Sequence, residues 1–184
     1  EMCYPESESE DLDIHVKRPG VFTPWCTSEA DFGRPALDQC GWHNCEATIR
    51  GTDLFGSPIS RADWGYEASE LAECIGGPLG DQWATLGFCA NPRLDIDNNL
   101  EEGTGLPENI NIDVPRDGET FRVMVESFTG GRTHPLVNIY CGGRRVATLG
   151  APPDEVPDFS GINGYDGVGA MWRVADVTTR LDGS

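Results

Sequence analysis

From Phe121 onward the chain is written almost entirely in short alternating runs, and no run has a helical period. Phe121-Arg122-Val123-Met124-Val125-Glu126-Ser127-Phe128 alternates, and so does Leu136-Val137-Asn138-Ile139-Tyr140-Cys141. A Gly142-Gly143 pair joins the latter to Arg144-Arg145-Val146-Ala147-Thr148-Leu149, the pattern of a β-hairpin. Ala170 to Thr178 forms a last run, after a Pro/Gly/Asp-rich loop over 150–168. Near the start, Leu12, Ile14 and Val16 alternate with Asp11, Asp13 and His15, which predicts a half-buried strand with a polar side. Strands that follow one another without helices pair antiparallel. The expected fold is therefore all-β, an antiparallel β-sandwich of the immunoglobulin-like or jelly-roll-like kind.

Residues 22–93 are different. They hold five of the seven cysteines and four of the five tryptophans, without clear periodicity. This reads as a long irregular insertion in which disulfides substitute for core, with one short helix over Ala68–Cys74. The expected organisation is an acidic arm at 1–10 followed by a single domain at 11–184, and a chain of 184 residues suits one core. Cysteines scattered singly indicate disulfides and an oxidising, extracellular compartment. A local Cys40–Cys45 bridge, or one from this pair to Cys26, fits better than half a zinc site, because further zinc ligands are isolated. Cys74 and Cys89 bracket a Gly-Pro-Leu-Gly loop and could form a second bridge; an odd count leaves one thiol free or bound to another chain. A start at Glu1 rather than Met is the pattern of a processed, secreted chain.

The formal net charge of −18 excludes nucleic acid as an expected partner, and no apolar run is long enough to insert in a membrane. The acid is concentrated. Asp95 to Ile110 carries Asp95, Asp97, Glu101 and Glu102 with Asn98 and Asn99 around a Gly-rich turn, then Glu108 and Asn109. Asp11 and Asp13 form a second cluster far upstream. Crowded carboxylates repel one another unless a cation lies among them, and a hard, oxygen-seeking ion, Ca2+, is the natural occupant. Asp95, Asp97 and Asn99 have D-x-D-x-N spacing, but Leu100 and Leu106 stand where an EF-hand has Gly and Glu. A single acidic loop is most often merely solvated. Two separated clusters with i,i+2 carboxylates point to one shared site. The candidate ligands are Asp11, Asp13, Asp63, Asp95, Asp97, Asn99, Glu108 and Asn109, with His15 a hydrogen-bond partner rather than a ligand.

Asp11-Leu12-Asp13-Ile14-His15-Val16, Asp63-Trp64-Gly65, Leu94-Asp95-Ile96-Asp97 and Gly105-Leu106-Pro107-Glu108-Asn109-Ile110 together resemble a group of bacterial secreted β-sandwich domains. These uncharacterised modules often lie beside von Willebrand A-type surface domains and carry a D-x-D-x-H … L-D-x-D … G-P-E-N-I pattern. The resemblance covers about residues 11–141 and departs at Leu106, which separates Gly105 from Pro107. It implies an extracellular sandwich whose acidic motifs meet at one end on calcium, with no known enzyme activity.

No G-x-S-x-G elbow is present, and no histidine has a recognisable catalytic context, so an enzyme is not expected and a hydrolase stands third among the readings. The leading expectation is a secreted, calcium-binding structural subunit of an extracellular filament, tube or surface layer. Calcium could bridge acidic copies into a homo-oligomer or homopolymer, and an extended arm can complete a neighbour's sheet. The alternative is a surface-glycan-binding module using Trp25, Trp42, Trp64 and Trp83, although packing within the cysteine-rich region is the commoner use of such side chains. Trp172, within a strand, is expected in the core.

Overall fold

A computed structural model of the chain describes residues 1–3, 12–20, 38–41, 45, 64, 92–96, 107–127, 134–152 and 171–181. Among these every regular element but one isolated helical position is a strand. The strands are β1 (Met2–Cys3), β2 (Leu12–Lys17), β3 (Gln39–Cys40), β4 (Arg93–Ile96), β5 (Asn109–Asn111), β6 (Thr120–Ser127), β7 (Leu136–Cys141), β8 (Arg144–Leu149) and β9 (Met171–Thr178). They form three antiparallel sheets of order β1-β7-β8, β3-β2-β6-β9 and β4-β5. The expected helix over 68–74, the 153–168 loop and most of the 22–93 insertion lie outside the described residues.

The four-stranded sheet explains the alternation. Leu12, Ile14 and Val16 of β2 stand opposite Ser127, Val125 and Val123 of β6, and β6 continues the same face with Phe121 against Val177 of β9. This apolar face packs into one core with Met2 and Val137 of the first sheet and Leu94 of the third. Each buried Val, Leu or Ile there contributes about 1.5–3 kcal/mol. Trp64 stacks on Phe121, with ring centroids 6.1 Å apart and planes at 22°. That stack ties the middle of the cysteine-rich region to the sheet.

The other face carries Asp13, His15 and Lys17 opposite Glu126, Met124 and Arg122. The expectation of a half-buried strand fails here, because all six residues of β2 are buried. The reason is position: β2 is an interior strand, flanked by β3 and β6, and its polar side is covered as well as its apolar side. Within the expected 1–10 arm, Met2 and Cys3 pair with Val137 and Leu136 as an edge strand of the first sheet.

Gly142 and Gly143 both have positive φ, at 55° and 75°, and close the two-residue turn between β7 and β8. Positive φ at both central residues is what a type I′ hairpin turn requires, and glycine meets it without a Cβ clash. The Cys40–Cys45 bridge is formed, while Cys3 and Cys141 are free thiols.

Candidate functional site

The chemistry gathers around β2. On one edge of this strand β3 reaches only Val16 and Lys17. Residues two apart present their amides to the same edge, so among the described residues no strand meets the Ile14 N–H there. It donates instead to Glu108 Oε2, at 2.8 Å. The Glu108 carbonyl oxygen accepts from the Met2 N–H at 2.7 Å. Glu108 is 1% exposed and lies at the entry to β5. One residue thus joins β1, β2 and the β4-β5 pair. Removing this acceptor would leave a buried N–H unsatisfied, at a cost of about 1–3 kcal/mol.

The polar face of β2 carries a second arrangement. Asp13 stands directly opposite Glu126, and His15 Nε2 lies 3.3 Å from Glu126 Oε2. Two carboxylates facing each other across a ladder are mutually unfavourable unless positive charge or protons intervene. His15 is fully buried. Gly41 presses on it so closely that a Cβ at position 41 would fall 2.3 Å from His15 Nδ1. Gly41 is itself held in a clamped loop. The Cys40–Cys45 disulfide closes that loop, and the Cys45 N–H donates to the Gly41 carbonyl oxygen at 3.0 Å. The disulfide therefore acts on the sheet through a glycine and an imidazole.

The expected ligands divide as follows. Asp13 is buried on β2, Glu108 is buried at its edge, and Asn109 is half-buried at the start of β5. Asn109 Oδ1 accepts from Asn111 Nδ2 at 3.1 Å. Asp95 occupies a bulge of β4, between the pairs Leu94↔Ile110 and Ile96↔Asn109. Asp11, Asp63, Asp97 and Asn99 lie outside the described residues. β2 and the 93–111 region are in contact through Ile14 and Glu108. Among the described residues no group of three or more His, Cys, Asp or Glu is placed to hold a metal ion. The donors present are hard oxygens, the class calcium takes, and a carboxylate oxygen that accepts one hydrogen bond retains acceptor capacity.

Sequence reasoning found Glu108 but gave it only one role. It did not find Glu126 or Gly41. An acidic residue inside the otherwise apolar Val123–Ser127 stretch was the available signal for Glu126. Nothing local marks Gly41, whose role comes from a contact with β2.

A second ionic group lies toward β9. Arg122 Nε donates to Asp176 Oδ1 at 2.8 Å, Arg122 Nη2 to Oδ2 at 3.1 Å, and Arg173 pairs with the same carboxylate. The hydrogen bonds from Arg122, reinforced by Arg173, hold the Asp176 carboxyl below the usual range. Arg93 pairs with Asp113 at the far end of β4-β5. Near β1, burial and then the neighbouring Glu1 carboxylate push the Cys3 thiol up.

Comparison with known proteins finds no matching family model, no matching curated protein and no matching solved structure. Among the described residues no helix is long and apolar enough to cross a membrane.

Proposed function

We propose that this chain is a calcium-stabilised structural module of an extracellular assembly. In this reading the β1-β7-β8 and β3-β2-β6-β9 sheets are the two leaves of a sandwich, and they share the core that contains Met2, Val137, Leu12 and Ile14. Asp11, Asp13, Asp63, Asp95, Asp97, Asn99, Glu108 and Asn109 surround the ion. The observation that carries the reading is the Glu108–Ile14 bond, which draws the region around Asp95 and Asn109 against the strand that holds Asp13. An ion there offsets the repulsion among carboxylates in a chain of net charge −18. Secretion accords with the Cys40–Cys45 disulfide. The glycan-binding alternative loses one of its side chains, since Trp64 is buried against Phe121 and offers no face to a sugar ring.

Calorimetric titration of chelator-treated protein with Ca2+, together with thermal unfolding in calcium and in EGTA, tests the reading. Saturable binding and a raised Tm are expected, because an ion at a hundredfold excess over its Kd stabilises the folded state by about 2.7 kcal/mol. Asp13→Asn and Asp95→Asn should each weaken binding. An absence of both heat and Tm shift would overturn it.

A further inference from the structure

β8 is an edge strand. Its sheet has the order β1-β7-β8, and among the described residues no backbone hydrogen bond outside the β7 ladder reaches residues 144–149. Arg144, Arg145, Val146 and Thr148 are exposed, Val146 at 59%. Val146 is the bulged residue, falling between the pairs Tyr140↔Arg145 and Ile139↔Ala147.

Its charge is out of keeping with the rest of the chain. Acidic residues number 31 against 13 basic ones, and Arg93, Arg116, Arg122 and Arg173 each have a carboxylate partner. Arg144 and Arg145 stand together on the edge, and among the described residues neither forms an ion pair. Cations and a bulge on an edge repel indiscriminate strand pairing. They do not repel a strand of opposite charge, so the same device that excludes most partners selects one class.

A strand of that class is present in every copy of the chain. In Glu6-Ser7-Glu8-Ser9-Glu10-Asp11 the glutamates recur at every second residue, so in extended form three carboxylates share one face. We propose that β8 is the docking edge for this acidic segment of a second copy, with backbone pairing along 144–149, one of the two arginines meeting the glutamates on their shared face and the other adding to the positive potential of the edge. The inference rests on the assembling part of the function proposed above and supplies its contact.

Sedimentation velocity across protein concentration, in calcium and in EGTA, is the test. The wild-type chain should self-associate, less so as salt is raised. Arg144→Glu with Arg145→Glu should weaken association about tenfold or more without changing the melting temperature, because both side chains are exposed. Glu6→Lys with Glu8→Lys and Glu10→Lys should do the same, and mixing the two charge-reversed chains should restore association. A peptide of residues 4–11 should compete, and its alternately N-methylated form should not, which separates strand pairing from charge attraction alone. A wild-type chain that stays monomeric, a reversed-edge variant that associates normally, a mixture that fails to recover, or equal competition by both peptides would overturn the proposal. Calcium binding without association removes only this contact. Association without calcium binding removes only the ion.

Discussion

Glu108 Oε2 accepts a hydrogen bond from the Ile14 backbone N–H at 2.8 Å across 94 residues of sequence. The side chain does what a further strand would do at that edge, and it does so within the core. Glu108→Ala should leave a buried N–H unsatisfied and cost about 1–3 kcal/mol. Glu108→Gln keeps an acceptor and should cost less. Urea denaturation of both variants in EGTA measures the difference apart from any bound ion. Equal losses for the two would show that charge, not the bond, matters there.

Gly41 and His15 should behave as a coupled pair. Gly41→Ala places a Cβ 2.3 Å from His15 Nδ1, so either the clamped loop or the imidazole must move. The expected loss is about 1–3 kcal/mol. In a His15→Ala background the same glycine change should cost much less. A double-mutant cycle by chemical denaturation reads the coupling directly, and additive losses would mean that the contact carries none.

Asp176 should contribute to acid sensitivity. Its carboxyl titrates below the ordinary value because Arg122, and then Arg173, favour the charged form. A depressed folded-state value adds stability above the unfolded value, and that stability is lost as pH falls through the folded one. The advantage of wild type over Asp176→Asn should therefore be constant above about pH 5 and shrink below about pH 4. Exposure and salt keep it small. Urea midpoints of the two proteins at a series of pH values supply the measurement; a gap that persists unchanged in acid would contradict the assignment.

Cys3 and Cys141, the free thiols among the described residues, should separate by rate. Cys141 is exposed beside the β7-β8 turn, whereas Cys3 lies in β1 with its thiol pushed up by burial and by Glu1. Reagents attack the thiolate, so Cys141 should be alkylated first at neutral pH and Cys3 should lag. Peptide mapping after a timed iodoacetamide pulse under native conditions reads the order.

The strands at 120–127, 136–141, 144–149 and 171–178 were legible because their period of two comes with a turn residue or a loop at each end. The Gly142-Gly143 turn was legible for the same local reason, and the short Cys40–Cys45 spacing offered the bridge as one of two options. β1 and β5 were not legible. Two or three residues carry no period, and Asn109 reads as a cation ligand, with no signal that it begins a strand. In β2 the alternation was visible but the burial of Asp13, His15 and Lys17 was not, since periodicity separates two faces without saying what covers either. The role of Glu108 at the β2 edge depends on where β3 stops, which is a property of the assembled sheet.

The order of the four-stranded sheet has a consequence for synthesis. β2 leaves the ribosome well before β6, so Leu12 waits for Ser127, and β6 in turn waits for Met171 to Thr178. The main ladder of the second sheet can close only once residues 171–178 have emerged. Until then an apolar segment travels without its neighbours, and the sheet closes at the slow rate expected of distant strand pairing.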